Sequence, residues 1–92
     1  MNRPTTWSVV FAESAAKDLR KLGSSERPRI LRFLRERIAT ADDPRRIGAA
    51  LSGEFSGLWR YRAGDWRIVA SLEDETVTVL VLRVAHRRDV YR

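Results

Sequence analysis

The stretch Leu58-Trp-Arg-Tyr-Arg-Ala-Gly-Asp-Trp-Arg67 packs three arginines and three large aromatics into ten residues. A second group follows at Ala85-His-Arg-Arg-Asp-Val-Tyr-Arg92, with the only histidine, His86, beside Arg87, Arg88 and Tyr91. Guanidinium groups are fixed forks of donors that match phosphate and carboxylate oxygens and stack on flat rings. An imidazole carries protons near neutral pH. Together these types suit binding of an anion, with proton transfer available nearby. A solvated loop has no use for the tryptophans, and a buried strand has none for the arginines.

A β-hairpin resolves that mixture. If Ala63-Gly64 forms its centre, Arg62 lies opposite Asp65, Tyr61 opposite Trp66, Arg60 opposite Arg67 and Trp59 opposite Ile68. Opposed residues share a face and alternate residues switch faces. Trp59, Tyr61, Trp66 and Ile68 then form an apolar face, while Arg60, Arg62, Asp65 and Arg67 gather on the other. A four-residue loop keeps this parity and a three-residue bulged loop shifts it. Like charges facing each other across strands repel, so Arg60 against Arg67 is a cost that a bridging anion would turn into binding. Arg83 falls either with the core set or beside Arg67. The second place is expected, because a buried unpaired arginine is expensive.

These groups need a scaffold. The chain has 92 residues and no cysteine, with 43% apolar content, which supports one domain over 1–92 with a core of its own. Disulfides and thiolate metal sites are excluded, and a cysteine-free chain fits a reducing cytoplasm. No apolar run approaches the length of a membrane span, and Met1-Asn2-Arg3-Pro4 is no signal peptide. The net charge is +6, and lysine occurs only at Lys17 and Lys21, so the other cations are arginine. Such a balance points to nucleic acid or an acidic protein as partner.

Trp7–Phe11 alternates as a strand. Ala12, Ala15, Ala16, Leu19 and Leu22 repeat at helical spacing, with Gly23 placed to end that helix. Ser24-Ser25 can cap a second helix, which tolerates Pro28 in its first turn. Ile30, Phe33, Leu34, Ile38 and Ala41 form its buried stripe, and Asp42-Asp43-Pro44 breaks it. Around Leu51–Glu54 a short helical turn and a loop are expected. From Leu58 the period becomes two, giving strands at 58–62, 65–72 and 77–86. The last is apolar on both faces between Thr76 and Val84, as in a strand covered on both sides. The expected fold is α+β in the order β-α-α-β-β-β, with two helices on one face of a four-stranded, mainly antiparallel sheet. The other face is left open for a partner.

This order, the segment Leu51–Arg67 and the ending Arg83-Val-Ala-His-Arg-Arg-Asp-Val-Tyr91 resemble the RelE side of the RelE/ParE toxins, over nearly the whole chain. The resemblance implies the toxin of a type II toxin–antitoxin module. RelE-like members enter the ribosomal A site and cut mRNA, and a cognate antitoxin blocks them. Operator DNA is contacted only through the antitoxin complex. The ParE branch shares the fold and poisons DNA gyrase instead. The tyrosine near the end, Tyr91, favours the nuclease side. The family's basic positions fall at Arg60, Arg62, Arg67, Arg83 and Arg87, and its terminal tyrosine at Tyr91. Relatives on that side carry lysines where this chain has Arg60 and Arg62, and an arginine does not give up its proton, so neither serves as a general base.

Cleavage by the 2′-hydroxyl requires a base for its proton, positive charge at the phosphorane and an acid for the departing 5′-oxygen. Arg60, Arg67 and Arg83 suit the charge role. Proton transfer falls to His86, Tyr91, Asp65 or Glu54. Arg62, Arg87, Arg88, Lys17 and Lys21 are the expected RNA-binding cations. The reading includes no metal or other cofactor.

Overall fold

The computed structural model describes residues 6–90. Strand β1 (Ser8–Phe11) leads into helix α1 (Glu13–Arg20) and helix α2 (Glu26–Phe33). Short β2 (Ala49–Ala50) then precedes the long strands β3 (Trp59–Ala63), β4 (Trp66–Glu73) and β5 (Thr78–His86). The sheet has five strands in the order β1-β5-β4-β3-β2, rather than the four expected. The fifth, β2, is two alanines paired antiparallel with Trp59 and Arg60, too short to carry a period. The β1–β5 pair is parallel, from Ser8↔Thr78 to Phe11↔Val81, and the helical crossover between them supplies the length that parallel neighbours require. The sheet is therefore mixed. Strand β5 is an interior strand, flanked by β1 and β4.

The core lies between the helices and the sheet. Ala15, Leu19, Ile30, Leu34 and Ile38 from the helical layer meet Tyr61, Ile68, Ala70, Val79, Val81 and Val84. Trp59 and Trp66 pack on its margin. The far face of the sheet is not open throughout. Val69, Ala85 and Val90 form a second small cluster, joined by Leu51 and Leu58. The turn after β5 folds back, with Asp89 N donating to the His86 carbonyl (2.7 Å), and buries Val90 on this face. Burial of those apolar groups is what draws the turn and the 51–58 loop over the sheet.

Several local expectations change. Gly23 does not end α1 in the left-handed region, which among the described glycines is occupied only by Gly53, Gly57 and Gly64. Instead, α1 tightens through Lys21 N→Asp18 O and Leu22 N→Leu19 O. The carbonyls of Leu19, Arg20 and Leu22 around this end also accept from the Arg27 guanidinium, which supplements a terminus the helix leaves short of partners. Ser25 makes no side-chain cap to α2; Arg27 N donates to Gly23 O (3.1 Å). Beyond Phe33 the second helix widens into a π turn over Leu34–Ile38, closed by Ala39 N→Leu34 O at 2.8 Å. Asp43 then caps a 3₁₀ turn at Pro44–Arg46 by accepting from Arg45 N, and the expected helical turn before β3 is the 3₁₀ turn Gly53–Phe55.

Candidate functional site

The β3–β4 hairpin turns at Gly64-Asp65, one residue later than expected. Ala63 pairs with Trp66 and closes a two-residue loop. Gly64 adopts φ +64 while Asp65 does not enter the left-handed region, as in a type II′ turn, whose first central position takes glycine. The observed partners are Arg62↔Arg67, Tyr61↔Ile68, Arg60↔Val69 and Trp59↔Ala70. Every partner thus moves by two residues. Because side chains alternate with period two, a slip of two leaves both faces unchanged. Trp59, Tyr61, Trp66 and Ile68 still face the helices, and Arg60, Arg62 and Arg67 still share the other side. The like-charge pair is Arg62 with Arg67, not Arg60 with Arg67.

Arg67 is the anchored member. It is 8% exposed, and its Nη1 donates to the carbonyls of Gly64 (2.8 Å) and Trp66 (3.0 Å). Burial, then repulsion from Arg62, Arg60 and Arg87, holds its guanidinium below the usual arginine value, with Asp65 opposing. An arginine so placed remains protonated at neutral pH, and its charge is held rigidly against like charges. A group developing negative charge beside it relieves that repulsion.

Arg87 joins this cluster through the turn. Its N–H donates to the Asp65 carbonyl (2.8 Å), and its Nε lies 3.9 Å from Asp65 Oδ1. Asp65 therefore pairs with Arg87 and not with Arg62. Arg60 is half-buried, and its Nε is shielded from solvent without a hydrogen-bond partner among the described residues. Arg62 and Arg88 are exposed.

Arg83 falls on the Arg67 side by register, as expected, because its partner Val69 shares a face with Arg67, but its guanidinium is engaged at the strand edge. A bulge between Val69 and Ala70 sets Arg83 opposite Val69 and Val81 opposite Ala70. Its Nε donates to Asp18 Oδ2 on α1 at 3.0 Å, and the same oxygen accepts from Val84 N at 2.9 Å. Strand β1 pairs with β5 only as far as Val81, so Asp18 takes over the free edge of β5 beyond it. Arg83 serves that junction.

His86 lies across from Trp66, on the helix side of the sheet, opposite in parity to Arg67. The two rings meet edge to face at 5.7 Å, and Trp66 Nε1 donates to Glu26 Oε2 (3.1 Å). His86 Nδ1 accepts from Arg88 N (3.3 Å). A shallow crevice beside it is lined by Asp18, Lys21 and Asp89. Lys17 and Lys21 are exposed on and just after α1, in the layer away from the arginines. Glu54 is exposed in its 3₁₀ turn and forms no ion pair among the described residues. Tyr91 lies outside the described residues.

The fold thus assembles Arg60, Arg62, Arg67 and Arg87 with Asp65, ties Arg83 to Asp18 at the strand edge, and separates His86 and the two lysines from them. Arg37 is a residue that the sequence did not single out. It lies in the π turn and lines a cleft with Arg60 and Arg62. Its place four residues after Phe33 puts it on one helical face with that ring, but nothing in the local pattern distinguishes it from the other exposed arginines of this helix.

Residues 9–91 match the family model described as ParE toxin of the type II toxin–antitoxin system, parDE. Toxin RelG of Mycobacterium tuberculosis is 39% identical over 89 residues, spanning 94% of this chain and 97% of the relative. Toxin RelE of the same organism is 28% identical over 86 residues, spanning 94% and 87%. Among solved structures, the toxin–antitoxin complex RelBE2 from M. tuberculosis contains a chain with TM-score 0.84 and 30% identity, covering 97% of this chain and 100% of that one. The isolated E. coli RelE toxin gives TM-score 0.67 and 29% identity, covering 87% and 83%. A sheet bordered by two helices, an arginine-bearing hairpin and these relatives agree: the chain belongs to the RelE/ParE superfamily of type II toxin–antitoxin toxins, as a RelE-like member.

Proposed function

We propose that this toxin is an endoribonuclease that cuts mRNA in the ribosomal A site and is neutralised by a cognate antitoxin. The observation that carries the reading is Arg67, nearly buried, fixed by two carbonyls and crowded by Arg60, Arg62 and Arg87. Preorganised donors of this kind stabilise charge that appears only in the transition state. In the proposed step the 2′-oxygen bonds to the adjacent phosphorus and the bond to the 5′-oxygen breaks. The products are a 2′,3′-cyclic phosphate and a 5′-hydroxyl, with the 2′-hydroxyl proton passing to a base and another reaching the 5′-oxygen from an acid. Arg60, Arg67 and Arg87 supply the charge, a role that calls for no bound metal. Arg62 and Arg88 hold flanking phosphates.

Proton transfer belongs to Tyr91 or His86. His86 meets Trp66 edge to face on the helix side of the sheet, and the family resemblance points to the terminal tyrosine, Tyr91. Asp65 positions Arg87, and Arg83 supports the β5 edge. Ribosomal orientation of the mRNA supplies proximity, so free RNA is a poor substrate. The antitoxin reading is supported by relatives solved as toxin–antitoxin complexes; operator DNA would then be reached through that partner alone. No described helix is long and apolar enough to cross a membrane, and a cytoplasmic place of action belongs to the same proposal.

The test is codon-positioned cleavage on translating ribosomes with wild type and Arg67→Ala. Wild type should cut, and the variant should be slower by about 10²-fold or more. Failure of wild type to cut, or equal cutting by the variant, ends the nuclease reading. DNA breakage by gyrase under the same induction would move the assignment to the ParE-type activity.

A further inference from the structure

A cleft of about 420 Å³ opens where the helical layer meets the outer part of β3. Phe33 and Arg37 line it from the end of α2 and its π turn, Ile47 and Gly48 from the loop before β2, and Arg60 and Arg62 from β3. Its character is specific in three respects. None of its three guanidinium groups makes an ion pair or hydrogen bond with a described residue, although Arg27, Arg45 and Arg83 elsewhere are all engaged. Arg60 in addition keeps a buried Nε with no partner, a donor whose burial is uncompensated within the protein. The remaining walls are apolar, from the half-buried Phe33 ring and from Ile47, exposed to 39%. Three unpaired cations beside a flat ring and an aliphatic wall match a phosphate joined to a base. An acidic peptide would satisfy the charge but has no comparable call on the ring.

Arg37 stands four residues after Phe33, the spacing that places two side chains on one helical face; it lies in the π turn, and such insertions recur at functional positions. The cleft also shares Arg60 and Arg62 with the Arg67 cluster, so the two positive regions are continuous around the β3 edge.

We propose that this cleft is a second RNA subsite, in which Arg37 with Arg62 holds an RNA phosphodiester next to the one at Arg67, with Arg60 between the two phosphates and the base lying against Phe33. The proposal rests on the RNA-directed reading of the toxin and extends it to a residue outside the hairpin. The phosphate belongs either to mRNA or to ribosomal RNA, and the assay separates these sources.

The experiment measures binding of a fluorescent single-stranded RNA of about ten nucleotides to purified toxin over a salt series, with Arg37→Gln, Phe33→Leu and Arg35→Gln. Arg35 lines a different groove beside β1 and serves as the control. Each phosphate contact contributes about 0.7 to the salt slope on a single strand. Arg37→Gln should lower that slope by about this amount and weaken binding roughly five-fold at low salt. Phe33→Leu should weaken binding with the slope unchanged, and Arg35→Gln should do neither. Ribosome-programmed cleavage is run in parallel. If Arg37→Gln weakens the oligonucleotide and cleavage together, the phosphate is that of mRNA. A loss of ribosome binding in Arg37→Gln, with no change on the oligonucleotide or on binding of an acidic antitoxin segment, assigns it to ribosomal RNA. Wild type that binds RNA with the predicted Arg37 dependence yet never cleaves leaves the subsite standing and removes only the nuclease reading. The subsite is overturned if Arg37→Gln behaves like Arg35→Gln in every RNA assay, or if it weakens only the antitoxin segment.

Discussion

Replacement of Asp18 by alanine tests the junction that holds Arg83. Asp18 is a single carboxylate serving two donors, Arg83 Nε at 3.0 Å and Val84 N at 2.9 Å, with its side chain 16% exposed. Removing the acceptor leaves the Val84 N–H unsatisfied at a partly buried strand edge, at a cost of about 1–3 kcal/mol. The ion pair adds less, because the Arg83 side chain is 38% exposed and exposed pairs are worth roughly 0.2–1 kcal/mol. Asp18→Ala should therefore lose about 2–3 kcal/mol, which for a domain of this size lowers the melting midpoint by roughly 10 °C or more. Asp18→Asn retains an oxygen for Val84 and should lose about 1 kcal/mol. Arg83→Ala should lose no more than about 1 kcal/mol, and almost nothing when Asp18 is already alanine, because coupled sites are not additive. Calorimetry or urea unfolding of the four variants against wild type measures this. The same Arg83→Ala protein, assayed per folded molecule, should cut ribosome-bound mRNA within about two-fold of wild type, as expected of a residue whose change touches no group in the transition state. Two outcomes refute the reasoning. Either Asp18→Ala unfolds like wild type, or Arg83→Ala remains fully stable and loses cleavage.

Two further perturbations follow from local geometry. Tyr61 donates its hydroxyl to the Pro44 carbonyl at 3.0 Å, and burial pushes its pKa from 10.0 up to about 12. A raised folded-state pKa means that the associated stability is complete below pH 10 and drains as pH rises through 12, by about 3 kcal/mol for the two units. Tyr61→Phe, which loses the hydrogen bond but cannot ionise, should be about 1 kcal/mol less stable than wild type at pH 8 and overtake it at about pH 11; urea midpoints at the two pH values check the crossover. At Gly48 an added Cβ would lie 2.8 Å from Tyr61 Cε1 and 2.9 Å from the Arg60 carbonyl, so Gly48→Ala should cost about 1–3 kcal/mol by overpacking, read as a lowered thermal midpoint.

The hairpin explains how much of the site was legible in the chain. Its two faces follow from alternation alone, so the separation of Trp59, Tyr61 and Trp66 from Arg60, Arg62 and Arg67 survives a two-residue error in register. The turn residue itself was misplaced because Ala63-Gly64 and Gly64-Asp65 both contain the glycine, and only closure of the pair Ala63↔Trp66 distinguishes them. The family was legible for a related reason: order of elements, hairpin and ending recur together, and local types carry all three.

Other features depend on contacts distant in the chain. Whether β5 borders β1 in parallel depends on the crossover path of the helices. The engagement of Arg83 by Asp18 spans 65 residues and arises because β1 stops short of the end of β5. The side taken by His86 is fixed by its pairing with Trp66, and the covering of the far face by burial of Val90. Local chemistry, which propensity and period express, determined the elements, the two-faced hairpin and the family. Tertiary packing alone decided which arginines converge, because a guanidinium takes its role from the carboxylate or carbonyl that folding brings within reach.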